Sequence, residues 1–219
     1  VSSDLWRSSV AIRGETTTCS GVLVSKNVIL TAGHCMWAFK RSHGLTISFF
    51  KGSESILDVE IGIGEYKLIT HPDFDDDGPV STESFHDMGL VVVSQTMTPR
   101  THRAPKMFTG KLKMGDSLVT VGNGMTESGS SSGGGEELRY VSSTLQSLTT
   151  NQGGKTARAF GVSGKSDGTC GGDSGGAVYV RTPSRGMELI GIHVSADESI
   201  SAELGCGSKM GIAILTPSM

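Results

Sequence analysis

The sequence predicts an all-β fold, on three observations. Short runs rich in Val, Ile and Thr recur along the chain, with turn residues between them. Glycine is abundant, 31 of 219 residues, and follows no repeat, as expected where many tight turns are needed. No long stretch shows the apolar period of about 3.6 residues that marks an amphipathic helix. The length suits one β domain, or two half-size barrels sharing an interface.

In chain order, the strand-like runs of the first half are SSVAIRG (8–14), SGVLVSKNVILTAG (20–33), LTISFF (45–50), YKLITH (66–71) and MGLVVVS (88–94). Those of the second half are SLVTVGNG (117–124), RYVSSTLQSL (139–148), AVYVR (177–181), LIGIHVS (189–195) and MGIAIL (210–215). HCMWAF (34–39) reads as one helical turn. Between the halves, QTMTPRTHRAPKMF (95–108) carries two prolines and three basic residues and reads as a connector. This divides the chain into a barrel at 1–95, a connector at 96–108 and a second barrel at 109–219. The low-complexity stretch ESGSSSGGG (127–135) reads as a loop tip open to nicking. The acidic DFDDDG (73–78) reads as a solvated loop, with a calcium loop as the outside alternative.

Bulk properties exclude several classes. The net charge is −3 and no basic stripe exists, so nucleic acid is not an expected partner. No apolar run reaches the roughly 18 residues that span a membrane. The opening VSSDLWRSS lacks a basic stretch followed by an apolar core, so it does not read as a signal peptide. Removal of such a segment during maturation is compatible with this reading. The four cysteines are Cys19, Cys35, Cys170 and Cys206, no two closer than sixteen positions. Zinc sites want closely spaced pairs, so disulfides and an oxidising compartment are favoured, with three pairings open.

The strongest chemical motif is GTCGGDSGGAV (168–178). Glycines let the backbone approach a ligand closely, and such a turn can aim successive N–H groups at one point, as an acyl-transfer oxyanion requires. A serine there needs a base. TAGHC (31–35) supplies His34 after the apolar VIL, and HDMGLVVV (86–93) supplies Asp87 at the mouth of an apolar strand. A buried acid so placed can orient a histidine.

In that order, TAGHC, D-x-x-L-V-V and GDSGG resemble the chymotrypsin–trypsin family of serine proteases, whose triad runs His, Asp, Ser. The resemblance spans the strands from 8–14 to 210–215. It implies two packed six-stranded antiparallel β-barrels with the site between them. It implies His34 as general base and acid, Asp87 as its orienter, Ser174 as nucleophile, and the amides of Gly172 and Ser174 as the oxyanion hole. It also implies the disulfides Cys19–Cys35 and Cys170–Cys206, no cofactor and no metal. Protein or peptide substrates, protein protease inhibitors as partners, a monomeric state and a secreted or periplasmic location follow from the same resemblance. A catalytically silent binding protein of this fold and a metal-dependent enzyme are the competing classes.

Specificity departs from the trypsin pattern. Six residues before the nucleophile, where trypsin-like enzymes carry Asp, stands Gly168, and Asp167 is one step further away. Thr169 and the G-I-H at 191–193 are similar to the glutamyl endopeptidases of the family, which pair a hydroxyl before the serine turn with a histidine on the next strand. Thr169 and His193 can donate to a substrate carboxylate, with Gly168 and Ser195 lining the same pocket, so cleavage after Glu is expected. The acidic SADESISAELG (195–205), with Asp197, Glu198 and Glu203, argues for cleavage after Arg or Lys, the alternative. His43, His71, His86 and His102 have no partner motif and read as surface or structural.

In the family a freshly cut amine pairs with the acid before the nucleophile, here Asp173. The I-V-G-G start is absent, and only 18 positions separate Val1 from Cys19. Three options stay open: Val1 reaches Asp173, Val1 lies near the pocket to help neutralise a bound acid, or Asp173 is held otherwise. The chain stops at TPSM, where the family adds a helix, which implies a minimal or trimmed domain.

Overall fold

The computed structural model describes residues 5–74, 86–94, 96, 98–126, 137–150, 157–163, 168–196 and 206–215, with the side chains of 150 and 157–162 excepted. The chain is mostly β, in two curled sheets. The first holds β1 (Ser9–Arg13), β2 (Thr18–Ser25), β3 (Val28–Thr31), β4 (Gly44–Lys51), β5 (Glu54–Gly62), β6 (Tyr66–Thr70) and β7 (Gly89–Val93). Its order is β5-β4-β1-β2-β3-β7-β6, antiparallel throughout. A short helix, α1 (Gly33–Phe39), leaves β3 and buries Cys35, Met36 and Phe39. The second sheet holds β8 (Ser117–Gly122), β9 (Arg139–Thr150), β10 (Ala157–Val162), β11 (Ala177–Thr182), β12 (Gly186–Ala196) and β13 (Lys209–Ile214). It closes on itself in the order β10-β13-β12-β11-β8-β9.

The expectation of six strands in each barrel is corrected, because the first sheet has seven. The added strand is β5, ESILDVEIG, an edge strand whose side chains are mostly exposed. It pairs with β4 through a turn in which Gly52 takes φ +72°, and its first residue, Glu54, bridges to Glu137. With β5 and β6 at opposite ends of the order, this sheet stays open where the second closes. The run 20–33 divides into β2 and β3, joined by a hairpin at Lys26 and Asn27.

Period-two alternation gives the strands of the second barrel two apolar faces. Leu118, Val178, Val180, Ile190, Ile212 and Ile214 fill its interior together with Phe108 and Leu145. Their neighbours Val119, Val121, Ala177, Tyr179, Leu189 and Ala213 join the core of the first barrel, with Val10, Ile12, Val22, Ile29, Ile47 and Phe49. Each buried Val, Leu or Ile contributes roughly 1.5–3 kcal/mol, so the shared face is a major source of cohesion between the sheets. Buried polar contacts cross between the sheets as well, among them Ser8 Oγ to Tyr179 Oη at 2.7 Å.

The connecting segment is fastened to both halves. His102 packs edge-on against Trp6 and Phe49, each with ring centroids 5.2 Å away, which makes it a structural histidine. Met107 bridges to Leu189 of β12. Disulfide Cys19–Cys35 ties β2 to α1, and Cys170–Cys206 ties the segment before the serine turn to the approach of β13. Both are the pairings that the resemblance implied. Among the described residues no helix is long and apolar enough to cross a membrane.

Candidate active site

β3 and α1 deliver His34. The strand ends at Thr31, and the helix begins two residues later, against the segment that carries Asp87. The approach is close: a Cβ on Gly33 would lie 3.0 Å from Met88 N and 3.1 Å from Asp87 Oδ1. Asp87 is 2% exposed, so its charge needs partners. It finds two on one residue: the His34 backbone N–H donates to Oδ1 at 2.9 Å, and Nδ1 of the ring lies 2.9 Å from Oδ2. With both oxygens engaged, the imidazole is fixed in orientation and in tautomer: Nδ1–H faces Asp87, and Nε2 remains as a base.

The serine turn lies between Cys170 and β11 and is framed by Gly172 at φ +96° and Gly175 at φ +83°. Its hydrogen bonds are specific. Asp173 N–H donates to Cys170 O, Gly175 N–H to His193 O, and Gly176 N–H to Asp173 O. The N–H groups of Gly172 and Ser174 have no such backbone acceptor among the described residues. The turn is docked on the first barrel: Ser20 N–H donates to Ser174 O at 2.8 Å. A Cβ on Gly175 would meet Thr31 Oγ1 at 2.1 Å, Ser20 O at 2.3 Å and Ala32 N at 2.8 Å. Ser174 is thereby held against the stretch that leads into His34.

Asp173 is held from within the second barrel. Gly124 N–H donates to its Oδ1 at 2.8 Å and Cys170 N–H to its Oδ2 at 2.9 Å. Gly122 and Gly124 make room, since a Cβ on either would come within 2.2 Å and 2.6 Å of the carboxyl group. Burial raises the Asp173 pKa, against the two amides and Arg139. Val1, its family partner, lies outside the described residues.

Sequence reasoning missed Ser20 and Asn123. Both are fully buried, and they join the barrels at the turn. Ser20 Oγ contacts Gly172 O at 2.9 Å and Asn123 Oδ1, and accepts the Asn123 N–H at 3.0 Å. Nothing local in the sequence marks them, since they stand 103 residues apart.

Thr169 pairs with Gly207 in an antiparallel bridge and is 1% exposed, and its Oγ1 has no hydrogen-bond partner. His193 of β12 is 1% exposed, and its Nδ1 has none either. Its backbone is tied to the serine turn through Gly175 N–H and Gly176 O. Burial, then the nearby His34, lowers its pKa to about 3, with Asp87 opposing, so the ring is neutral at ordinary pH. The β12–β13 register shifts between His193 and Ser195, a bulge of the kind that re-aims side chains beside active sites. Gly168 and Ser195 are half-buried. Asp167, Asp197, Glu198 and Glu203 lie outside the described residues, as do 127–135 and most of the acidic loop. His43 Nδ1 meets Glu15 Oε1 at the exposed surface.

Two curled β-sheets with a carboxylate-fixed histidine on one, and a glycine-framed serine turn of the other docked beside it, define the class of double-barrel serine proteases. Whole-chain comparison is specific: the family model described as Trypsin matches residues 2–218, and the chain belongs to that family. Among solved structures it is similar to neuropsin, a serine protease expressed in the limbic system of mouse brain. That likeness covers 95% of this chain and 89% of that one, with a TM-score of 0.68 and 19% identity, and it speaks to the fold alone. No curated protein is similar enough in sequence to count as a match.

Proposed function

We propose that this trypsin-family protein is a secreted, monomeric serine endopeptidase that works through an acyl-enzyme, with His34, Asp87 and Ser174 as its triad. The observation that carries the reading is the double contact between His34 and Asp87, made beside a serine turn that is docked on the same barrel. Ser174 Oγ attacks the scissile carbonyl while His34 Nε2 takes its proton. The same proton then goes to the leaving amine, and a water repeats the sequence to release the acid. Asp87 stabilises the imidazolium formed in each step. The N–H groups of Gly172 and Ser174, which have no backbone acceptor among the described residues, suit an oxyanion. The two halves, 1–95 and 109–219, joined at 96–108, supply base and nucleophile respectively, and no cofactor enters the scheme. A serine-directed phosphonate tests it: stoichiometric labelling of Ser174 is expected, and an unlabelled chain would identify a catalytically silent binding protein.

For specificity we infer cleavage after an acidic residue, Glu first. Two buried polar atoms without partners, Thr169 Oγ1 and His193 Nδ1, support it, because an orphaned buried donor is costly until an acceptor arrives. A neutral His193 still gives a bond assisted by the substrate's charge. Cleavage of a peptide library decides: preference for Glu, abolished in His193→Ala, is the expected result. Preference for Arg or Lys would return the pocket to Asp167 or the acidic segment at 197–203.

A further inference from the structure

Three residues that no catalytic role absorbs meet on the flank of the first barrel. His71 follows β6, Asp73 lies two residues on, and His86 immediately precedes Asp87. One ligand-capable atom from each lies within 4.8 Å of those of the other two. The His71 and His86 rings stack with centroids 4.7 Å apart and planes 27° from parallel. The backbone beneath them is tied together. His71 N–H donates to Met88 O at 2.9 Å, Met88 N–H to His86 O at 2.6 Å, and Phe74 N–H closes the turn onto His71 O at 2.9 Å. The Asp73 N–H donates to His71 Nδ1 at 3.2 Å, so Nε2 of that ring is the atom left for a further partner.

We propose that His71, Asp73 and His86 form a binding site for a divalent transition metal, with Zn2+ as the probe, and that its occupation slows turnover. Two imidazoles and one carboxylate form a donor set that suits Zn2+ better than Ca2+ or Mg2+, which want oxygen ligands. Four-coordinate zinc with bonds of about 2.0–2.1 Å needs donors roughly 3.4 Å apart. Asp73 is exposed, so its carboxylate has room to move toward that spacing. The fourth position falls to water. Coordination rotates the His86 ring out of its stack and pulls on the His86–Asp87 peptide. Asp87 must hold two contacts to His34 at 2.9 Å, so a small displacement there reaches the base.

Titration calorimetry of the Ser174→Ala protein with Zn2+ tests the site. One-to-one binding is expected, weakened at least tenfold in His71→Gln and in His86→Gln, with Co2+ giving the visible absorption of a four-coordinate ion. Asp73→Asn, an exposed change that leaves folding alone, is expected to weaken binding as well. Unaltered affinity in these variants, no saturable binding, or loss of binding only in His34→Ala would overturn the proposal. In the active protein, Zn2+ is expected to lower turnover reversibly, with a chelator restoring it and His71→Gln resisting it. Turnover unchanged at saturating Zn2+ would overturn it too. The calorimetry needs no catalysis, so its outcome is separate from that of the peptidase reading.

Discussion

A single hydroxyl, on Ser20, decides how firmly the Gly172 peptide is held. It carries one proton and has two acceptors within reach, Gly172 O and Asn123 Oδ1. The Asn123 amide nitrogen is buried without a partner. Turning that amide over lets its NH2 donate to Ser20 Oγ and frees the Ser20 proton for Gly172 O, which satisfies more groups. Ser20 then fixes the Gly172–Asp173 peptide, the unit that follows the Gly172 N–H proposed to face the oxyanion. Ser20→Ala is expected to lower kcat about tenfold with KM nearly unchanged, less than the loss of a direct oxyanion donor. A rise in KM at constant kcat would instead mean a role in ground-state binding. His193 sets a second expectation, on pH. Its folded pKa of about 3 lies below the ordinary 6.5, so as pH falls through 6.5 the unfolded chain binds a proton that the folded chain refuses. Stability is therefore complete above about pH 6.5 and declines toward pH 3, by roughly 2–3 kcal/mol at pH 4.5. His71 and His102, also lowered by burial, act in the same direction, and Asp173, raised by burial, opposes them. Denaturant unfolding of His193→Gln should therefore show a flatter acid limb, and an identical limb would exclude His193 as its cause.

At the scale of elements, the serine turn works because it is glycine where it meets the other barrel. Gly175 combines a left-handed φ of +83° with a contact surface that has no room for a methyl group. Gly175→Ala is expected to cost several kcal/mol or to lift the turn off β2 and β3, with activity falling by more than stability alone explains. Thermal unfolding beside kcat separates the two effects. Near-normal activity in that variant would show that the docking is dispensable. Much at this scale was legible in the sequence. The apolar runs became strands, both disulfides lie where the resemblance implied, and HCMWAF became α1 with one residue added in front. β5 was missed because only Val59 and Ile61 pack inward, while Ile56 and Leu57 stay exposed, so the buried face is too short to stand out. β10, ARAFGV, was missed because it is short and holds only Phe160 and Val162 as strong strand formers. The His71–His86 stack and the Ser20–Asn123 contact were missed because pairs so distant in sequence leave no local pattern.

Across the whole molecule, the two sheets share an apolar face, crossed by the buried hydroxyl contact between Ser8 and Tyr179. Tyr179 Oη is pushed up to about 12 by burial, so it stays protonated and bonded to Ser8. Tyr179→Phe leaves Ser8 short of its partner, and a loss of about 1 kcal/mol is expected by urea unfolding. No loss would mean that Ser8 recovers a bond elsewhere, with Leu5 O, at 3.4 Å, the nearest candidate. The proposed base, His34, and the proposed nucleophile, Ser174, stand on opposite sheets, so on that reading the barrel junction is part of the catalytic apparatus.

The most direct test of the triad is peptide cleavage by Ser174→Ala beside the parent chain, with circular dichroism to confirm an intact fold. Turnover is expected to fall by several orders of magnitude while the spectrum and melting temperature stay close to the parent's. Cleavage by the folded variant at the parent rate would contradict Ser174 as nucleophile, and with it the mechanism.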